Sequence, residues 1–187
     1  MTHPGAGEER CPQGVLPEVE VLLDALAQRL SARLERARID DPCVVGVQTG
    51  GVWLAQRLHA MLGLATPLGT LDISFHRDDF EAAGLNPVLH PSRLPWDVAG
   101  RDVVLVDDVL YTGRTVRAAL NAIFDWGRPA SISLVVLVAR DGRELPLQAD
   151  IAAAEIALEP GCTIKLRGPE PLRLELVRSG ARAERPA

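Results

Sequence analysis

The residues of this sequence best suited to chemistry are two adjacent carboxylates, Asp107 and Asp108, followed by Val109-Leu110-Tyr111-Thr112-Gly113-Arg114-Thr115. They follow an unbroken apolar run, Val103-Val104-Leu105-Val106, and precede helical spacing from about Arg114 to Trp126. Ligands of open parallel sheets bind beyond the carboxyl ends of the strands. Adjacent side chains leave a strand in different directions. An acidic pair there can accept hydrogen bonds from two neighbouring hydroxyls, as on a ribose 2′,3′-diol, or hold an ion through water. Gly113 permits a tight turn. The N–H groups of residues 112–115, the Thr112 and Thr115 hydroxyls and the helix dipole suit a phosphate dianion. Residues 103–115 therefore read as a pocket for a ribose 5-phosphate group. The plainer reading is a strand-to-helix connection that Asp and Thr merely cap. It accounts less well for the complete string of apolar strand, acidic pair, Thr-Gly-x-Thr and helix.

The flanking elements form an alternating α/β pattern. Val19, Leu22, Leu23, Leu26, Leu30 and Leu34 recur at helical spacing, which predicts a helix over residues 15–37 ended by Asp40-Asp41-Pro42. Cys43 to Val47 reads as a strand, Gln48-Thr49-Gly50-Gly51 as a glycine turn, and Val52 to Leu64 as a helix. A strand is expected over Leu68 to Phe75, a loop over residues 76–98 and a buried strand over Ile132 to Val138. A loop of that length is more often functional than not. Unbroken aliphatic strands between helices indicate a parallel sheet covered on both faces. Ile151 to Leu158, Thr163 to Leu166 and Leu172 to Val177 read as short strands of an appended subdomain. The expected organisation is a polar segment 1–14, one domain over 15–178 and a tail over 179–187.

Composition narrows the classes. Net charge is −5, which gives no overall bias toward nucleic acid, and Lys165 is the one lysine among twenty basic residues. No long apolar stretch predicts a membrane span, and the polar start lacks the apolar core of a secretory signal. Cys11, Cys43 and Cys162 are odd in number and scattered, which argues against a disulfide framework or zinc site and fits a reducing cytoplasm.

Val103 to Thr115 resembles the phosphoribosyl pyrophosphate (PRPP) signature of type I phosphoribosyltransferases. Leu71 to Asp79, Thr115 to Ala119, Gly127 to Ser131 and Arg143-Glu144-Leu145-Pro146 extend the likeness. Together they are similar to the pyrimidine operon attenuation regulators that are also uracil phosphoribosyltransferases, over roughly residues 15–178.

That resemblance implies a parallel twisted sheet flanked by helices, with a flexible active-site loop over 76–98 and a small hood over 149–178. It implies the reaction of uracil with PRPP to give UMP and pyrophosphate, with Mg²⁺ bound mainly through PRPP and no metal ligand assigned directly to the protein. Asp107 and Asp108 would bind the ribose hydroxyls, and Thr112, Gly113, Arg114 and Thr115 the 5-phosphate. Thr49, Gly50 and Gly51 would lie beside the pyrophosphate, and Arg77, Asp78 and Asp79 at the base of the loop. As a charge cluster, the last three read equally well as solvated and self-paired. A homodimer or homotetramer that responds to UMP or UTP and binds pyrimidine-operon leader RNA, partly through Arg140 and Arg143, is also implied.

Two departures stand out. Gly50 occupies a turn position where many members carry Arg. Asp141, Gly142 and Gln148 stand where more basic residues are common, and RNA affinity depends on phosphate neutralisation. Arg29, Arg33 and Arg36 form a basic stripe on the first helix, although a solvated helix face explains them as well. Transfer to another base, such as hypoxanthine or orotate, without RNA regulation stays open, because the PRPP signature is shared.

Overall fold

The computed structural model describes residues 16–73 and 91–178. Five parallel strands form the main sheet in the order β2-β1-β3-β4-β5: β1 Cys43–Val47, β2 Gly69–Leu71, β3 Asp102–Leu110, β4 Ser131–Arg140 and β5 Ile151–Ile156. Helices α1 (Val19–Ala37) and α2 (Gly50–Leu62) lie on one face, and α3 (Arg114–Trp126) on the other. An antiparallel ribbon of β6 (Cys162–Arg167) and β7 (Arg173–Arg178) stands apart from the sheet. The expected type I phosphoribosyltransferase architecture is the one observed.

Alternation along β3 builds both cores. Val104 and Val106 face α1 and α2, whereas Val103 and Leu105 face α3. All four are at most 1% exposed. Helix α1 buries Leu22, Leu23, Leu26, Leu30 and Leu34, the stripe that its sequence period marks out. It begins at Val19, later than expected, after an extended Glu18 with ψ 136°, and it ends at Arg38 in the left-handed conformation.

Two sequence-based expectations need correction. Strand β3 does not close at Asp107. It runs on to Leu110, pairing Asp107 with Val136 and Leu110 with Ala139. Apolar residues mark where a strand is buried, not where its backbone pairing stops. The first strand expected in the appended subdomain, β5, instead pairs with β4 as the outer strand of the main sheet. Cys43 is free and buried, whereas Cys162 is disulfide-bonded.

Of the loop expected over 76–98, residues 91–98 are fixed against the sheet edge. Arg93 and Thr70 exchange two backbone hydrogen bonds of 2.8 Å, and Trp96 Nε1 donates to the Pro67 carbonyl. The remainder of that loop lies outside the described residues. No helix among the described residues is long and apolar enough to cross a membrane.

Candidate active site

From β1 the chain crosses to β2 on one side, and β3 then lies on the other side of β1. Where a parallel sheet reverses its order in this way, a crevice opens beyond the strand ends. The start of α2 and the carboxyl end of β3 meet there. A Cβ at Gly51 would fall 2.4 Å from the Val106 carbonyl oxygen, and one at Gly50 would fall 2.4 Å from Asp108 Oδ2. Gly46 is equally tight, 2.6 Å from Val52 Cα. These glycines let the α2 entrance lie directly on β3, and so bring the expected pyrophosphate turn against the acidic pair. Thr49 precedes this entrance as the α2 cap residue, and the Gln48–Thr49 peptide is cis.

Strand β1 pairs with β3 only as far as Val106. Beyond it, the carboxylates meet the freed backbone donors of β3. Asp107 Oδ1 accepts from Asp108 N–H at 3.0 Å, and Asp108 Oδ1 from Val109 N–H at 2.8 Å. Capping is thus part of what the pair does, but each carboxylate has a second oxygen. Asp107 is 4% exposed, and Asp108 is half-buried. Burial pushes the Asp108 carboxyl above the ordinary aspartate range, against the lowering effect of its hydrogen bonds.

The turn after β3 leads directly into α3. Gly113 has φ 93°, a left-handed conformation that suits glycine, and Arg114 N–H bonds to Thr112 Oγ1 at 3.3 Å. A cavity of about 330 Å³ lies over this turn. It is lined by Asp108 to Gly113, Thr115 and Val116, with Thr163, Ile164 and Lys165 of β6 on the far side. Its size lies at the lower end of small-molecule sites. Val103 to Val106, expected in the pocket with the rest of the signature, are sheet core instead. Asp107 and Arg114 do not line the cavity, whereas Asp108 does. Arg77, Asp78 and Asp79 lie outside the described residues.

Sequence reasoning missed the β6 side of the cavity, Thr163, Ile164 and above all Lys165. Its being the one lysine was visible, but its position opposite the turn depends on how the ribbon folds back over β3.

The arginines expected to meet RNA converge elsewhere. A groove of about 920 Å³ is lined by Arg29, Arg33 and Arg36 of α1 together with Arg140 and Arg143. Asp141, Asp150 and Glu155 share it, and Arg33 is already bridged to Asp150 at 2.7 Å. The α1 stripe and the end of β4 thus form one surface.

The family model of the phosphoribosyl transferase domain matches residues 17–156. Among relatives, the bifunctional protein PyrR of Pseudomonas syringae pv. syringae is 52% identical over 161 residues, 86% of this chain and 95% of that protein. The chain belongs to the PyrR family. The bifunctional protein PyrR of Nitrosococcus oceani is 49% identical over 167 residues, covering 88% of this chain and 94% of that one. In fold, this PyrR family member is similar to the hypoxanthine phosphoribosyltransferase of Trypanosoma cruzi. The TM-score is 0.64 at 20% identity, over 89% of this chain and 97% of that one. A purine phosphoribosyltransferase from Pyrococcus horikoshii gives a TM-score of 0.56 at 23% identity, over 76% and 87%.

Proposed function

We propose that this chain transfers the ribose 5-phosphate of PRPP to uracil, giving UMP and pyrophosphate, and that it also regulates pyrimidine-operon transcription by nucleotide-dependent binding to leader RNA. The observation that carries the enzyme reading is the cavity over residues 108–116. It joins an acidic acceptor, a phosphate-type turn at a helix start and the polar edge of a second element in one cavity.

In this reading the 5-phosphate meets the Thr112 and Thr115 hydroxyls and the N–H groups at the start of α3, with Arg114 beside them. Asp108 accepts from the ribose diol directly. Asp107 lies behind it and holds the Asp108 amide. Thr49, Gly50 and Gly51 flank the pyrophosphate, which meets backbone N–H groups there because Gly50 offers no cation. Uracil occupies the far end beneath β6, beside Thr163 and Lys165. The bond from C1 of the ribose to pyrophosphate oxygen breaks, the bond from C1 to uracil N1 forms, and the N1 proton is released. Positive charge grows on the ribose as the leaving group departs, so carboxylates held close to the sugar stabilise the transition state. Orientation of the two reactants supplies much of the remainder.

No group of three or more His, Cys, Asp or Glu side chains suited to a metal occurs among the described residues. Asp108, which faces the cavity, offers hard oxygen donors that fit Mg²⁺ carried in on PRPP and held through water. When bound, the ion neutralises charge on the pyrophosphate.

The regulatory half of the proposal rests on the groove, where five arginines face three carboxylates. That balance gives RNA phosphates a modest attraction. A homodimer or homotetramer belongs to the same reading and is testable by light scattering. Asp107→Asn combined with Asp108→Asn should abolish UMP formation while the protein stays folded. Turnover retained in that double variant would remove the assignment of the acidic pair.

A further inference from the structure

Residues 140–147 leave β4 on the way to β5 and lie along the phosphate turn. They touch every residue of it from Tyr111 to Arg114. The guanidinium carbon of Arg140 is 3.9 Å from the centroid of the Tyr111 ring. Gly142 has φ 94°, and a Cβ there would fall 2.5 Å from Tyr111 Cε2, so the backbone lies against the ring. Arg143 Nη1 donates to the Tyr111 carbonyl. The N–H groups of Glu144 and Leu145 both donate to the Thr112 carbonyl, at 3.0 and 3.1 Å. A Cβ at Gly113 would meet Leu145 Cβ at 3.3 Å. Arg114 Nε donates to Glu144 Oε2 at 2.7 Å.

A turn that binds phosphate through backbone N–H groups works best if those groups are aimed before the ligand arrives, since ordering them on binding costs affinity. Within β3 and α3 the turn is held by the Thr112 hydroxyl and by the Arg117 N–H, which donates to the Gly113 carbonyl at 2.9 Å, whereas residues 143–145 clamp the two preceding carbonyls, of Tyr111 and Thr112, from outside. The Arg114–Glu144 pair is half exposed at both ends, and such pairs contribute little alone. Arg143, bonding a carbonyl with a charged donor, contributes more.

We propose that Arg143 and Glu144 are positioning residues for the phosphate turn, acting through Tyr111 and Arg114, and that residues 140–147 are the strap that holds it in shape. The strap's arginines therefore serve the pocket as well as lining the groove. This inference rests on the phosphoribosyl reading of that pocket.

The test compares full-length Arg143→Ala, Arg143→Lys and Glu144→Gln with the unaltered protein. Measured are kcat, the KM values for PRPP and uracil, ribose 5-phosphate affinity by calorimetry, and thermal melting. Arg143→Ala should raise the KM for PRPP and weaken ribose 5-phosphate about 5- to 10-fold. The KM for uracil and kcat should stay within about twofold. Arg143→Lys, which can still donate to the carbonyl, should recover most of the loss, and Glu144→Gln should lose about twofold.

An unchanged KM for PRPP in a folded Arg143→Ala protein would overturn the proposal. So would an equal rise in the KM for uracil, which would mean general loosening. If Arg143→Ala does not fold, amide exchange in the unaltered protein decides. The Glu144 and Leu145 amides should exchange more slowly with ribose 5-phosphate bound, and no change would overturn the strap. An unaltered protein that neither uses PRPP nor binds ribose 5-phosphate would remove the pocket reading and this proposal with it. Normal binding with indifferent variants would remove the proposal alone.

Discussion

Asp108 and Asp41 show how the same side chain acquires opposite pH behaviour from its surroundings. Burial raises the Asp108 carboxyl, so the folded state holds that proton more tightly than the unfolded chain does. Stability of the unliganded protein therefore falls as pH rises from the ordinary aspartate range through the raised value, and the cost persists at neutral pH. Asp108→Asn should raise the Tm at pH 7 while abolishing UMP formation, and the gain in Tm should vanish in acid. A variant that is less stable at pH 7 would show that capping of Val109 outweighs burial. Asp41 is lowered chiefly by the Thr66 hydroxyl, with the Thr66 amide next. Its contribution is present above the ordinary range and lost as pH falls. Asp107, Asp108 and Gly113 were legible in the sequence because their chemistry is local. Lys165 was not, because a lone lysine on a short strand carries no local sign of what it faces. With Lys165 on β6 across the cavity from the turn, Lys165→Gln should raise the KM for uracil more than that for PRPP; the reverse would place the base elsewhere.

The elements show where periodicity succeeds and where it stops. The α1 stripe and the α3 boundaries agree with helical spacing, since each helix buries one face. Strand β3 outlasts its apolar run by four residues, Asp107 to Leu110, because β4 keeps pairing with it from Val136 to Ala139 and the core continues through Leu110. The glycine turn before α2 was legible as a turn. Its reason, contact with β3, required the fold. Gly51 meets a backbone carbonyl that cannot rotate away, so Gly51→Ala should destabilise the protein by about 1–3 kcal/mol. Gly50 meets the movable end of the Asp108 side chain, so Gly50→Ala should spare stability while lowering kcat/KM. Equal loss of stability in the two variants, read from denaturant melts, would contradict this distinction.

In the whole molecule, the β3 turn and strap 140–147 separate two cavities of different character. One is small and lies between the turn after β3 and β6; the other is broad and faces α1. From the sequence, Arg140 and Arg143 belonged to the RNA surface that the resemblance implies, and the α1 stripe stood apart from them. In the fold they lie between the cavities, and the carboxylates around them temper the groove. Leader RNA should therefore bind more tightly with UMP present and lose affinity steeply with salt, with a slope set by few phosphates. A gel shift indifferent to UMP would count against regulation by the pocket.

The central claim concerns the smaller cavity and its second substrate. It is tested most directly by incubating the protein with PRPP, Mg²⁺ and, in parallel, labelled uracil, hypoxanthine or orotate, and measuring nucleotide formed. UMP should accumulate with uracil, with little or no product from the other two bases. Product from hypoxanthine or orotate but not from uracil, or from none of the three, would contradict the assignment.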